Sequence, residues 1–370
     1  MKAEAYEALD PKCQMFIDEY DAKREDLMRL KDTVLDAIRK TVRESGVVVT
    51  AIDGRVKERN SLIGKLLRKG HKYNSLSDIT DLVGVRIITL FGDDVDKVAT
   101  FMSRLFHADW TESVDKRTVH ELTSFGYNSL HYVVSIPKTM CANNLPESLC
   151  SVRFEIQMRS TLQHAWAEME HDIGYKSKVG TPPEYQRMLG RLAGMLELCD
   201  EEFERIRVSV ADYRRRMEAL IDKGKLSEVP LNEDTFAKYV EMKPFDRLTR
   251  RIASINQGEI REMTLMPFLP LLLDIGLHNL QDVEDFVKEN ENDAYLLAMR
   301  QLADVDIDIV SSTVALQNLV LVHALKSGGG VAGLTHIYDL LNGSSVHNRQ
   351  LAEFLYRQVS ALPFMNRFSS

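Results

Sequence analysis

Between Arg55 and Lys72 seven positive side chains stand against a single acid, Glu58, so the stretch carries a formal +6 inside a chain of net charge −8. Lys57, Ser61 and Lys65 recur every four residues, a spacing that a helix brings onto one face, and Arg68 extends that face. Two ammonium groups and a hydroxyl in line suit a polyphosphate; the same pattern also serves a solvated basic helix. Asp81 stands at the mouth of a strand-like run, where a carboxylate either ligates a metal or starts a turn. Arg86, inside that run among apolar residues, must find a partner, because a buried unpaired charge is costly. Alternation over residues 151–159 puts Val152, Phe154, Ile156 and Met158 on one face and Arg153, Glu155, Gln157 and Arg159 on the other. Such a strand is a plain surface strand or a ligand wall. Asp81 and Glu155 together make a donor set for Mg²⁺, which one or two carboxylates hold with substrate phosphates. Leu162, Trp166, Met169 and Ile173 form a helical core stripe, while His164, Glu168, His171 and Tyr175 share another face. No HExxH and no fourth ligand accompany them, so polar packing around a pocket is the better reading than zinc.

These residues need elements to hold them. Phe16, Tyr20, Leu27, Leu30, Val34 and Ile38 predict a helix over 11–45, stopped by Gly46. Further helices are expected over 57–69, over 95–106 behind Asp93 and Asp94, over 160–176, and from Pro183 to about 217. Strand-like runs occupy 83–91, 130–136 and 151–158, and then strands stop. Residues 219–370 read as Leu-rich helices broken by Gly or Pro. The fold class is α+β: a mixed β-sheet flanked by helices within 1–218, followed by an all-α domain over 219–370. The most apolar run, Ile309 to Leu325, has 17 residues, short of the ~20 that a bilayer span needs, and is expected to be a buried helix. Gly328–Gly330 lacks the phosphate-loop pattern and reads as a loop between helices.

Composition bounds the function. With 370 residues, 44% apolar and 28% charged, the chain is neither disordered nor a disulfide miniprotein. An acidic total argues against coating nucleic acid but leaves room for a local basic site. Cys13, Cys141, Cys150 and Cys199 form no CxxC and are expected as reduced thiols. No signal-peptide stretch follows the N-terminus, and a soluble, cytoplasmic protein is expected.

Taken in order, Arg55/Lys57/Ser61/Lys65, Asp81/Gly84/Arg86/Ile87, Gly126/Tyr127/Ser129/His131, Glu155/Gln157/Arg159 and His164 through Lys176 resemble the motifs of the RelA/SpoT alarmone synthetase family, over about residues 40–180. The resemblance implies a nucleotidyltransferase-like fold. It also implies a Mg²⁺-dependent GTP pyrophosphokinase that moves the β,γ-pyrophosphate of ATP onto the 3′-hydroxyl of GDP or GTP. By position, it puts Arg55 against adenine with Arg86 opposite, and Lys57, Ser61, Lys65 and Arg68 on the ATP phosphates. It makes Asp81 the principal metal ligand, and Glu155 a second ligand and the base. It sets Tyr127 to stack on the acceptor base, with Gln157 and His131 positioning the acceptor. Two departures stand out. Thr123-Ser124-Phe125 replaces a Lys-Pro-Asn-like stretch, which bears on guanine selectivity rather than catalysis, and Arg159-Ser160 stands where Arg-Thr is usual. About 45 residues precede the motifs, too few for the hydrolase domain of long family members, so a synthetase-only chain with an added helical domain is expected. Two other functions compete: a toxic relative that pyrophosphorylates the 3′ end of tRNA, and a catalytically dead nucleotide-binding module. A homo-oligomer and a regulatory partner at the helical domain are further expectations.

Overall fold

The helix α1 (Pro11–Ser45) forms where the periodicity demands. Asp10 caps it by accepting the Cys13 N–H at 2.8 Å, Pro11 sits in the first turn, and Gly46 ends it at φ +72°, the left-handed conformation that glycine adopts without strain. In the computed structural model, residues 6–115, 129–141, 145–175, 182–303, 305 and 307–365 are described. They fall into two units, Met1–Val208 and Ser209–Ser370.

In the first unit, β1 (Val49–Val56), α2 (Arg59–Lys69), β2 (Val83–Thr89), α3 (Gly92–Leu105), β3 (His107–Asp115), β4 (Leu130–Ser135) and β5 (Phe154–Ser160) build a five-stranded mixed sheet in the order β1-β2-β5-β4-β3. β2 and β5 are parallel, and the other pairs are antiparallel. One sheet face is apolar: Val83, Val85 and Ile87 of β2 and Phe154, Ile156 and Met158 of β5 join α1 and α3 in one core. The opposite face carries the charged residues of the same strands, as period-two alternation requires. α4 (Thr161–Tyr175) and α5 (Pro183–Asp222) follow.

Several expectations are corrected. β1 and β3 are strands that the sequence did not announce. β1 contains Asp53 and Gly54, which are poor strand formers, and it forms because it pairs with β2 and lies on α1. Gly54 is required there: a Cβ would come 2.9 Å from Leu35 Cδ1. α2 starts at Arg59, so Lys57 precedes the helix. Trp166 is buried and packs with Leu162, Ala193, Leu189 and Leu196, but Met169 and Ile173 are exposed, because the packed stripe covers only the first half of α4. Cys141 and Cys150 are paired as a disulfide with Cα atoms 5.8 Å apart, contrary to the expectation of four thiols, while Cys13 and Cys199 are free. The pairing joins a helical turn after β4 to the approach to β5, which the sequence separation of nine allows.

In the second unit, α6 (Glu233–Glu241), α7 (Asp246–Ala253), α8 (Leu269–Asp274), α9 (Leu280–Leu302), α10 (Val314–Lys326), α11 (Gly330–Asn342) and α12 (Val346–Val359) enclose a separate core. α10 is its centre, with Leu316, Leu319, Val320, Leu321 and Val322 fully buried, as a helix apolar all round must be. The apolar run enters differently from expectation: Ile309–Ser311 forms a short strand parallel to Glu259–Arg261, and the helix begins only at Val314. No helix among the described residues is long and apolar enough to cross a membrane.

Candidate active site

Register places the sequence-selected residues in rows across the polar sheet face. Arg55 of β1 pairs with Gly84 of β2, and Gly84 with Glu155 of β5. In the next row stand Asp53, Arg86, Gln157 and His131. Arg55 and Arg86 are therefore diagonal neighbours on one face. Nothing lies within 4 Å of where a Cβ on Gly84 would be. The first row thus has a gap at Gly84, between the backbone positions of Arg55 and Glu155, which two strand spacings set about 10 Å apart.

The cationic side is built around Asp81. Lys57 Nζ donates to Asp81 Oδ2 at 2.7 Å, and Lys65 Nζ to Oδ1 at 2.8 Å. The backbone fixes Lys57, because its N–H donates to Leu82 O at 2.8 Å and its carbonyl accepts the Tyr20 hydroxyl. Lys65 also lies 5.4 Å from the Tyr73 ring centre. Burial by itself raises the Asp81 pKa, but the hydrogen bonds from Lys57 and Lys65 outweigh it and hold the carboxyl below its ordinary range. Burial likewise lowers Lys65, and the Asp81 bond more than restores it. Ser61 and Arg68 are exposed on α2, and the Arg68 guanidinium lies over Gly64. The residues expected on one helical face therefore meet differently: Lys57 and Lys65 converge on Asp81, and Ser61 and Arg68 remain outside that cluster.

Glu155 is held from β4. Its Oε1 is 2.5 Å from His131 Nδ1, and His131 Nε2 is 2.5 Å from Ser129 Oγ. Ser129 and His131 are both buried. With the proton on Nδ1 donating to Glu155, Nε2 accepts from the Ser129 hydroxyl, and every group in the chain is satisfied. Arg86 finds its partner on α4, donating from Nη1 to Glu168 Oε1 at 3.0 Å. Burial, then the Arg86 cation, pushes His164 below its ordinary value. Among the described residues Arg159 Nε, His164 Nδ1 and Trp166 Nε1 are buried without a hydrogen-bond partner. Tyr127 and Phe125 lie outside the described residues. Sequence reasoning missed Ser129 as the support of His131 and Glu168 as the counter-ion of Arg86. The Ser-x-His spacing on a strand was the available signal for the first; nothing local marked the second.

For Mg²⁺ the donor set decides. No three His, Cys, Asp or Glu residues cluster as a metal cage among the described residues. Both Asp81 oxygens already hold ammonium groups. Asp81 lies in the turn before β2, whose Gly84 pairs with Glu155 of β5, so an ion held by these carboxylates would draw its remaining ligands from substrate. A polyphosphate bound alongside would take over Lys57 and Lys65 as the ion takes Asp81.

A family model described as a region found in RelA / SpoT proteins matches residues 54–180. The chain is 31% identical over 159 residues to the GTP pyrophosphokinase YwaC of Bacillus subtilis (strain 168), covering 42% of this chain and 72% of that protein. It is 29% identical over 161 residues to GTP pyrophosphokinase YjbM of the same organism, covering 44% and 73%. Among solved structures, the small alarmone synthetase 1 from Bacillus subtilis aligns over 53% of this chain and 99% of its own, at 26% identity and a TM-score of 0.43.

Proposed function

Because the chain belongs to the RelA/SpoT family, we propose that it is a GTP pyrophosphokinase, using ATP to place a pyrophosphate on the 3′-hydroxyl of GDP or GTP. The observation that carries this reading is the two-ended face: lysines paired to Asp81 at one end, the supported Glu155 at the other, and the open position of Gly84 between Arg55 and Glu155.

Transfer to a hydroxyl needs in-line positioning, cations on the polyphosphate and a base at the nucleophile. Lys57 and Lys65 bind the ATP phosphates, with Ser61 and Arg68 reaching from the exposed face of α2. Arg55 and Arg86 flank the adenine. Glu155 takes the proton of the 3′-hydroxyl as that oxygen bonds to the β-phosphorus, and the bond from that phosphorus to the bridging oxygen breaks to release AMP. His131, backed by Ser129, aims Glu155, and Gln157 and Tyr127 position the acceptor. A bound Mg²⁺, held by Asp81 and Glu155, would supply charge neutralisation on the phosphates.

The test offers GDP, GTP, ATP and uncharged tRNA separately to the purified protein with Mg²⁺ and γ-labelled ATP. Label is expected on GDP or GTP, and to be lost in Asp81→Asn and reduced by about 10²–10⁴-fold in Glu155→Gln, the range for a general base. Label on tRNA alone would replace the nucleotide acceptor with a translation-blocking one. Unchanged turnover in either variant would overturn the site assignment.

A further inference from the structure

Along β1 a charged residue stands at every second position. Asp53, Arg55 and Lys57 alternate with Ile52, Gly54 and Val56, so all three belong to the polar sheet face. The intervening Gly54 lies on the other side, against Leu35 of α1. Asp53 is opposite Arg86 and Arg55 opposite Gly84, and one step on the Lys57 N–H donates to Leu82 O. Successive members of the row are about 6.8 Å apart, two residues of strand rise. Lys57 and Arg55 have tasks in the reading above, on the phosphates and against the adenine. Asp53 has none. Its cross-strand neighbour Arg86 gives its guanidinium to Glu168 instead. The Asp53 side chain is exposed and makes no hydrogen bond or ion pair among the described residues. Its charge nonetheless reaches His164 of α4, which sets it on the side of the sheet where the site lies.

A nucleoside triphosphate is linear too: phosphates, sugar, base, then the outer edge of the base. With phosphates at Lys57 and the base at Arg55, the next position along β1 meets that outer edge. There the two purines differ. Adenine presents an amino group that donates, and guanine presents an oxygen that accepts. An ionised carboxylate accepts only. It takes a hydrogen bond from the 6-amino group and sets negative charge against a 6-oxo group. The distinction matters in a site whose acceptor is a guanine nucleotide, because GTP carries the same triphosphate as ATP. Resting on the placement of adenine between Arg55 and Arg86, we propose that Asp53 selects the base of the pyrophosphate donor, accepting from the 6-amino group of adenine and repelling the 6-oxo group of guanine. Attraction for one base and repulsion of the other act together, as specificity requires.

Binding tests this without turnover. The probes are ATP with a methylene between the α- and β-phosphates, the same nucleotide lacking the 6-amino group, and its 6-oxo counterpart. Each is titrated calorimetrically into the full chain with GDP filling the acceptor site. The parent should prefer the amino form over the form lacking it by about tenfold or more, the worth of one hydrogen bond to a charged group. Asp53→Ala should erase that preference. Asp53→Asn, whose amide both accepts and donates, should keep part of it and admit the 6-oxo nucleotide that the parent refuses. If Asp53 served only to hold Arg86, Asp53→Ala would weaken the amino form and the form lacking it equally, and the preference would survive. That result, equal affinities in the parent, binding of none of the three, or tightest binding of the 6-oxo form would each overturn the proposal. The acceptor assay fails separately: an amino preference with no label on GDP or GTP would remove the proposed acceptor and leave the selection of adenine by Asp53 standing.

Discussion

At the scale of the residue, the molecule repeatedly sets a charged group where its charge is wanted and then occupies it with a counter-charge. Asp81 shows the effect on stability. Its carboxyl titrates below the ordinary range because the bonds from Lys57 and Lys65 outweigh burial. A lowered folded pKa contributes stability that is present above the unfolded value and is lost as the pH falls through the folded one. Asp81→Asn should thus lower the melting temperature at neutral pH, and the gap from the parent should close as the pH drops below about 3.9, the unperturbed aspartate value. A gap that stays constant with pH would show that the lysine pairing is not its source. The candidate residues themselves were legible in the sequence, since Asp81, Arg86 and Glu155 declared themselves by position in short apolar runs. Their partners were not. Ser129 reaches Glu155 only through His131, across a pairing of β4 with β5 that brings together residues 24 apart. Glu168 meets Arg86 across 82 residues.

At the scale of the element, strong periodicity was readable and weak strands were not. α1 begins and ends at the expected residues because cap, proline and terminal glycine all agree. β1 lacks that agreement, and its pairing with β2 and packing on α1 override its composition. Gly54 is where β1 lies directly against Leu35 of α1. Gly54→Val should destabilise by about 1–3 kcal/mol through overpacking, and Leu35→Ala in the same chain should recover part of the loss. Equal melting temperatures for Gly54→Val and the parent would mean that the Leu35 contact is slack. β3 was hidden for another reason: it is an edge strand, largely polar, and needs pairing on one side only.

At the scale of the whole molecule, two cores close separately, one around the sheet and one around α10. Calorimetry of the full chain should resolve two transitions, as for domains each with its own core. A single transition with equal calorimetric and van't Hoff enthalpies would show that the two cores melt as one. The sheet has one more consequence. Arg55 and Glu155 are separated by strands locked through ladder hydrogen bonds, and Gly84 contributes nothing that swings between them. The spacing of their backbone positions is thus a gauge set by strand pitch, across which the two side chains must close the rest of the distance. Lengthening or shortening a side chain at either jaw changes what the gauge admits, since Gly84 between them has no side chain to make up the difference.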